Sequence, residues 1–390
     1  MSSASCTPKR PLLQRSTTSA MHSPPPGATV STDTCIRPFD TLQPASDMKV
    51  GLVGFQAGGK STVFELLTGI APDPSKAHSG QVGLATVADT RFDALVEHYQ
   101  PAKISPARIE LLDTPGLDRR QQDVNLQRLA IIREAQALVH VVGAFSGIDP
   151  LEEVTRFSEE LVLADLQILG NRIERLETDV NKPRPDRDEL RAELEALQPL
   201  AAELESTGSL AGIEMTETQE RVTRSFALLA RKQRLVLVNT GEAEEDTGYA
   251  GAITSNGYGL MAAAVGLELE LGALDESDRT EMAAEMGLSG SCRHELMQAI
   301  LHVADLITFY TCSDKEVHAW LLRRGSTAVE AADSIHSDLA RGFIRAEITP
   351  SDSLLELGGE KEAKAAGLWH VEGKDYVVED GDEIFIRSGI

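Results

Sequence analysis

The chain has 390 residues, 42% of them hydrophobic, with a formal charge of −24. This length allows two or three domains with real cores, and the acidity excludes a protein that coats nucleic acid by charge alone, because neutralising phosphates needs clustered Lys and Arg. No apolar run approaches the roughly 20 residues that cross a bilayer, and the N-terminus lacks the apolar centre of a secretory signal; the expectation is a cytoplasmic protein with neither membrane nor DNA as partner. Cys6, Cys35, Cys292 and Cys312 lack CxxC spacing and imply neither a disulfide framework nor a zinc site.

In chain order, residues 1–47 are rich in Ser, Thr and Pro (HSPPPGATVSTDT) and show no sustained period, which predicts a disordered extension. Four near-continuous apolar runs follow: KVGLV (49–53), ARIELLD (107–113), ALVHVVG (137–143) and RLVLVN (234–239). Separated by helical stretches, they predict an α/β fold with a parallel sheet. Between the third and fourth, Val162, Leu166, Leu169, Ile173, Leu176 and Val180 recur at steps of four and three, and Leu190, Leu194, Leu197, Ala201 and Leu204 resume the rhythm after NKPRPDRDE. That pattern predicts an antiparallel helical hairpin that projects as a coiled coil. The last stretch, with LITFYT, FIRAEI, YVVED and EIFIRS around TAVEAADSIHSDLARG, predicts a small mixed β domain. The expected division is 1–47, a nucleotide-binding domain of 48–150 with 232–303, a helical insertion at 151–231, and a terminal domain at 304–390.

The stretch GFQAGGKST, Gly54 to Thr62, fits GxxxxGK[ST] between a strand and a helix. Backbone N–H groups of 57–62 and the positive end of the helix are expected to hold phosphate. Lys60 reaches the β- and γ-phosphates in this reading, and Ser61 ligates Mg²⁺. A second strand ends in LLDTPGL (111–117), placing Asp113 to hold the Mg²⁺ shell and Gly116 to sense the γ-phosphate. The next residue is Leu117, where many switch proteins carry a Gln that orients water, so turnover is expected to be slow. The third element, RLVLVNTGE (234–242), has Asn239, Thr240 and Glu242 where GTP-binding proteins usually have NKxD. Asn239 can pair bidentately with adenine N6 and N7, which favours ATP over GTP.

These motifs, with the helical insertion and a small β domain at the end, resemble the YchF family of Obg-like P-loop ATPases from about Met48 to Ile390. KEVHAWLLRRGSTAVEAADSIHSDLARGFIRAE and GKDYVVEDGDEIFIR are very similar to that family's terminal TGS domain, a β-grasp fold; ESDRTEMAAEMGL (276–288) and LVLADLQIL (161–169) are similar to its linker and insertion.

The resemblance implies a translation-associated, Mg²⁺-dependent ATPase that also binds GTP. It further implies contact with the ribosome, specifically the large subunit, through the coiled coil and TGS domain. Carried over by position, Gly54, Ala57, Gly58, Gly59, Lys60, Ser61 and Thr62 surround the phosphates, Leu117 is the hydrophobic replacement, and Asn239, Thr240 and Glu242 face the base. The chain departs from the pattern at Ala57 and Gly58, where the family's NVGKST has Asn and Val. It also lacks a clear counterpart of the TIEPN-type segment, whose Thr ligates Mg²⁺, with Ser75, Ser79 and Thr86 as substitutes. Leu117 and the shortened segment after Pro74 raise an alternative, a nucleotide-dependent binding module that no longer hydrolyses.

Overall fold

The computed structural model describes residues 48–120, 122–210, 212–241, 248–286 and 292–389. The extension at 1–47 and Glu242 lie outside the described residues. The strands run β1 (Lys49–Val53), β2 (Gln81–Thr86), β3 (Lys103–Ser105), β4 (Arg108–Asp113), β5 (Ala137–Gly143), β6 (Arg234–Asn239) and β7 (Gly259–Ala263). They continue as β8 (Leu306–Cys312), β9 (Glu316–Arg323), β10 (Phe343–Pro350), β11 (His370–Glu372) and β12 (Asp382–Ser388).

Two six-stranded sheets result, ordered β2-β4-β1-β5-β6-β7 and β11-β10-β12-β8-β9-β3. The four strands predicted from apolar runs form the middle of the first sheet, and all their pairings with one another are parallel. β5 and β6 are buried along their whole length, as strands covered on both faces must be. β2 and β7 complete the edges, and β2 is antiparallel to β4. Every side chain on this sheet is thus held by a rigid scaffold whose loops converge at the carboxyl ends of β1, β4, β5 and β6.

Helix Pro150–Asp179 starts from an Asp149 cap that accepts from the Leu151 N–H, with Pro150 at its first position and Glu152 and Glu153 in its first turn. Its first half packs on the first sheet through Val154, Phe157 and Leu161. Its second half pairs with helix Arg187–Thr207 around Leu169, Leu176, Leu197 and Leu204, a separate apolar core. The predicted seam therefore forms. A buried Arg133–Asp165 pair at 2.7 Å ties the base of this hairpin to the turn that leads into β5.

In the second sheet β8 lies parallel to β12 at the centre, with helix Ala328–Ile335 packed on one face through Ala328, Ala331 and Ala332. This is a β-grasp arrangement. The predicted run YVVED forms no strand, and Val377 makes only an isolated bridge to Thr327. Sheet pairing also crosses the expected division of the chain, because β3 pairs with β9 through Lys103↔Glu316 to Ser105↔His318. The same face carries a Tyr310 hydroxyl donating to Asp89 at 2.5 Å, Tyr99 donating to Glu383 at 2.9 Å, and Arg91 bonded to Asp380 at 2.9 Å. The second sheet is therefore seated on the segment that follows β2.

Candidate nucleotide-binding site

β1 hands over to a loop whose backbone tolerates little substitution. Gly54 has φ 138°, and a Cβ there would lie 2.6 Å from the Val141 carbonyl oxygen. Ala57 adopts φ 62° without being glycine. Gly59, at φ 94°, precedes helix Lys60–Thr68 and provides no side-chain cap. The first-turn N–H groups of that helix, including those of Ser61 and Thr62, thus keep no capping side chain and point at whatever anion enters.

The DTPGL segment closes over this loop from β4. Thr114 Oγ1 donates to the Leu52 carbonyl at 2.7 Å, the Leu117 N–H donates to Gly54 and the Gln56 N–H to Leu117, both at 3.0 Å. A Cβ on Gly116 would stand 2.7 Å from Lys60 Nζ and 2.9 Å from the Gln56 backbone, so only glycine allows the approach. The Leu117 side chain is fully buried with Val53, Phe55 and Ile132. It is a core residue, and it offers the site nothing polar.

Lys60, Ser61, Asp113, Gly116 and Ala57 line one cavity of about 360 Å³, together with Asp73. Lys60 is only 6% exposed, and its Nζ donates to the Phe55 carbonyl at 2.6 Å. Burial lowers its pKa to about 8, against the pull of Asp113. Burial likewise raises the Asp113 carboxyl, against the Ser61 hydroxyl and Lys60. Ser61 Oγ donates to Asp113 Oδ2 at 2.7 Å, while Asp113 Oδ1 is buried without a partner. A hydroxyl oxygen beside an orphaned carboxylate oxygen is a donor set suited to a hard divalent cation, and Mg²⁺ fits it. The two burial shifts agree: the cavity is short of countercharge, which phosphate and a cation together would supply.

Residues 49–171 match the family model described as 50S ribosome-binding GTPase, and residues 306–388 match YchF-GTPase_C, described as a protein of unknown function (DUF933). The chain is 31% identical over 363 residues to a protein of Haemophilus influenzae named ribosome-binding ATPase YchF, an overlap that takes in 88% of this chain and 99% of that one. The chain belongs to the YchF family. The YchF relative of Bacillus subtilis is 31% identical over 368 residues, 88% of this chain and 100% of that one. The solved structure of the Schizosaccharomyces pombe YchF GTPase shares the fold, with a TM-score of 0.74 at 24% identity over 88% of this chain and 99% of that one.

Within this YchF chain the base-side residues behave differently from expectation. Asn239 is 4% exposed; its Nδ2 donates to the Gly58 carbonyl at 3.3 Å, and its Oδ1 accepts from the Val265 N–H at 3.2 Å. Bidentate pairing with adenine would require both bonds to give way, so the amide braces the phosphate loop against the start of helix Val265–Gly272. The Thr240 N–H is likewise taken, by the Ala263 carbonyl at 3.0 Å. Ser75, Ser79 and Thr86, the expected substitutes for a Mg²⁺-ligating Thr, do not line the cavity. Two residues went unpredicted. Phe145, 52% exposed, stands beside Gly59, Gly143 and Gly241, where phosphate loop and base-side loop meet. Arg128 reaches the cavity from a helix whose sequence gives no local sign of it.

Proposed function

We propose that this YchF chain is a cytoplasmic, ribosome-associated nucleotide switch that binds and slowly hydrolyses ATP, and accepts GTP. The convergence of Lys60, Ser61, Asp113 and Gly116 on one cavity containing an unpartnered carboxylate oxygen carries the reading. The printed names of the relatives, ribosome-binding ATPases, support the partner. The description of the 49–171 match, a 50S ribosome-binding GTPase, supports the large subunit. We assign ribosome contact to the helical hairpin and the β-grasp unit, the two parts that lie outside the sheet carrying the phosphate loop.

In this reading the first-turn N–H groups after Gly59 and the Lys60 ammonium hold the β- and γ-phosphates. Ser61 Oγ and the Asp113 carboxylate would hold Mg²⁺, which when bound would neutralise phosphate charge. The exposed ring of Phe145 offers a face on which either purine can stack, since every base has a π-face. Water attacks the γ-phosphorus in line. Because Leu117 is sequestered in the core, no side chain at that position orients the water, and turnover is slow.

Calorimetry of the full chain with non-hydrolysable ATP and GTP analogues, with and without Mg²⁺, is the direct test. Mg²⁺-dependent binding that is lost in Lys60→Ala, together with ATP hydrolysis lost in the same variant, is the expected result. Unchanged hydrolysis in Lys60→Ala would sink the assignment.

A further inference from the structure

Leu117 leaves the γ-phosphate end of the cavity without the polar side chain that usually stands there, yet a cation reaches that end from elsewhere. Arg128 sits on helix Gln122–Ile132. Its Nη1 donates to the Gly116 carbonyl at 2.6 Å, and its side chain lines the same cavity as Lys60, Ser61 and Asp113. A Cβ added to Gly116 would lie 2.7 Å from Lys60 Nζ, so this glycine stands beside Lys60. Two nearby arginines are committed to acids: Arg119 to Glu153 at 2.6 Å and Arg133 to Asp165 at 2.7 Å. Among the described residues no ion pair is recorded for Arg128.

We infer that Arg128 is a catalytic residue, a guanidinium supplied within the chain to the γ-phosphoryl group of the bound nucleoside triphosphate. A guanidinium has five N–H donors, so one can hold the Gly116 carbonyl while others face phosphate oxygens. During hydrolysis the water oxygen bonds to the γ-phosphorus as the bond from phosphorus to the β,γ-bridging oxygen breaks. The bonding pair leaves with the diphosphate, and the water's protons go to the phosphate product and solvent. Arg128 exchanges no proton; it stabilises charge on the transferring group from a fixed position. Buried Leu117 and cavity-facing Arg128 are then two halves of one arrangement, in which charge stabilisation takes the place of water positioning.

This inference rests on the reading of the cavity as an ATP site, and the test separates the two. The full chain and the variants Arg128→Ala, Arg128→Gln and Arg128→Lys are titrated with Mg²⁺ and either ADP or a non-hydrolysable ATP analogue, and single-turnover ATP hydrolysis is followed. Gln retains a donor for the Gly116 carbonyl without the charge, so it guards against a loop that merely collapses. For Ala and Gln we expect turnover to fall about 100-fold and analogue affinity about tenfold, with ADP affinity held within about twofold; Lys recovers only part, lacking the planar fork. Equal loss for ADP and analogue, normal turnover in Arg128→Gln, or full recovery with Lys would overturn the role of Arg128. A wild-type chain that binds neither nucleotide would overturn the ATP reading and this inference together.

Discussion

Asp113 closes β4 in the first sheet and Glu383 lies at the start of β12 in the second, and burial raises the pKa of both carboxyls. Their surroundings differ. Glu383 accepts from the Tyr99 hydroxyl at both oxygens, at 2.9 and 3.2 Å, so its bond joins helix Thr90–Tyr99 to the second sheet. Asp113 has one oxygen occupied by Ser61 and the other vacant, beside a buried lysine at a glycine-rich helix start. A buried acid whose hydrogen bonds close within the protein is a joint. One left open next to a cation and a hydroxyl is a place for a ligand.

The largest effect should come from breaking the open side. Gly116→Ala puts a methyl 2.7 Å from Lys60 Nζ, which must then shift from its place in the cavity, and 2.9 Å from the Gln56 backbone, which cannot retreat without moving the loop. A displacement of about 1 Å at the reacting groups costs on the order of 100-fold, and single-turnover hydrolysis should fall by that much with the protein still folded. A rate within twofold of wild type would show that this segment moves away before reaction.

The closed side responds in stability instead. Glu383 is raised to about 7, first by burial, with Glu360 adding to the shift and the Tyr99 hydrogen bond opposing it. With the folded value above the unfolded one, the native state holds more protons between about pH 4.5 and 7. Stability from this group therefore falls as pH rises through that window, and the full penalty stands above it. Glu383→Gln keeps an acceptor for Tyr99 and removes the charge. It should be more stable than wild type at pH 8, by on the order of 2 kcal/mol, with the gap gone near pH 5 and ATP affinity untouched. A less stable variant at pH 8 would mean that the carboxylate is needed as such.

Much of the parallel sheet was legible because strands buried on both faces leave continuous apolar runs, and the phosphate loop was legible because Gly54 and Gly59, both at positive φ, stand at fixed spacing before Lys60 and Ser61. The hairpin seam was legible from its three-and-four spacing. β2 and β7 were not: QVGLAT alternates buried with exposed positions around Gly83, and GLMAA, with a glycine and two alanines, has no β-branched residue to mark it as a strand. Arg128 was invisible for another reason. LQRLAII reads as an ordinary amphipathic segment, and only the return of the chain twelve residues later brings its guanidinium to Gly116. Asn239 shows the limit of motif reading, since the spacing found the residue while packing against Gly58 and Val265 decided which way its amide faces.

The smallest effect sharpens the comparison without changing the fold. Lys60 is held at about 8 in the free protein because burial outweighs Asp113. Bound phosphate favours the ammonium, so binding above that pH must take up a proton. Analogue affinity should be flat below about pH 8 and fall up to about tenfold per pH unit above it, with calorimetric heats that depend on the ionisation enthalpy of the buffer. Lys60→Arg, whose side chain stays charged, should lose that slope even where it binds more weakly. Were affinity constant to pH 9.5 in the wild type, Lys60 would already be charged in the free protein. In that case Asp113, not phosphate, would be its partner, and the orphaned carboxylate oxygen would close within the protein as Glu383 does.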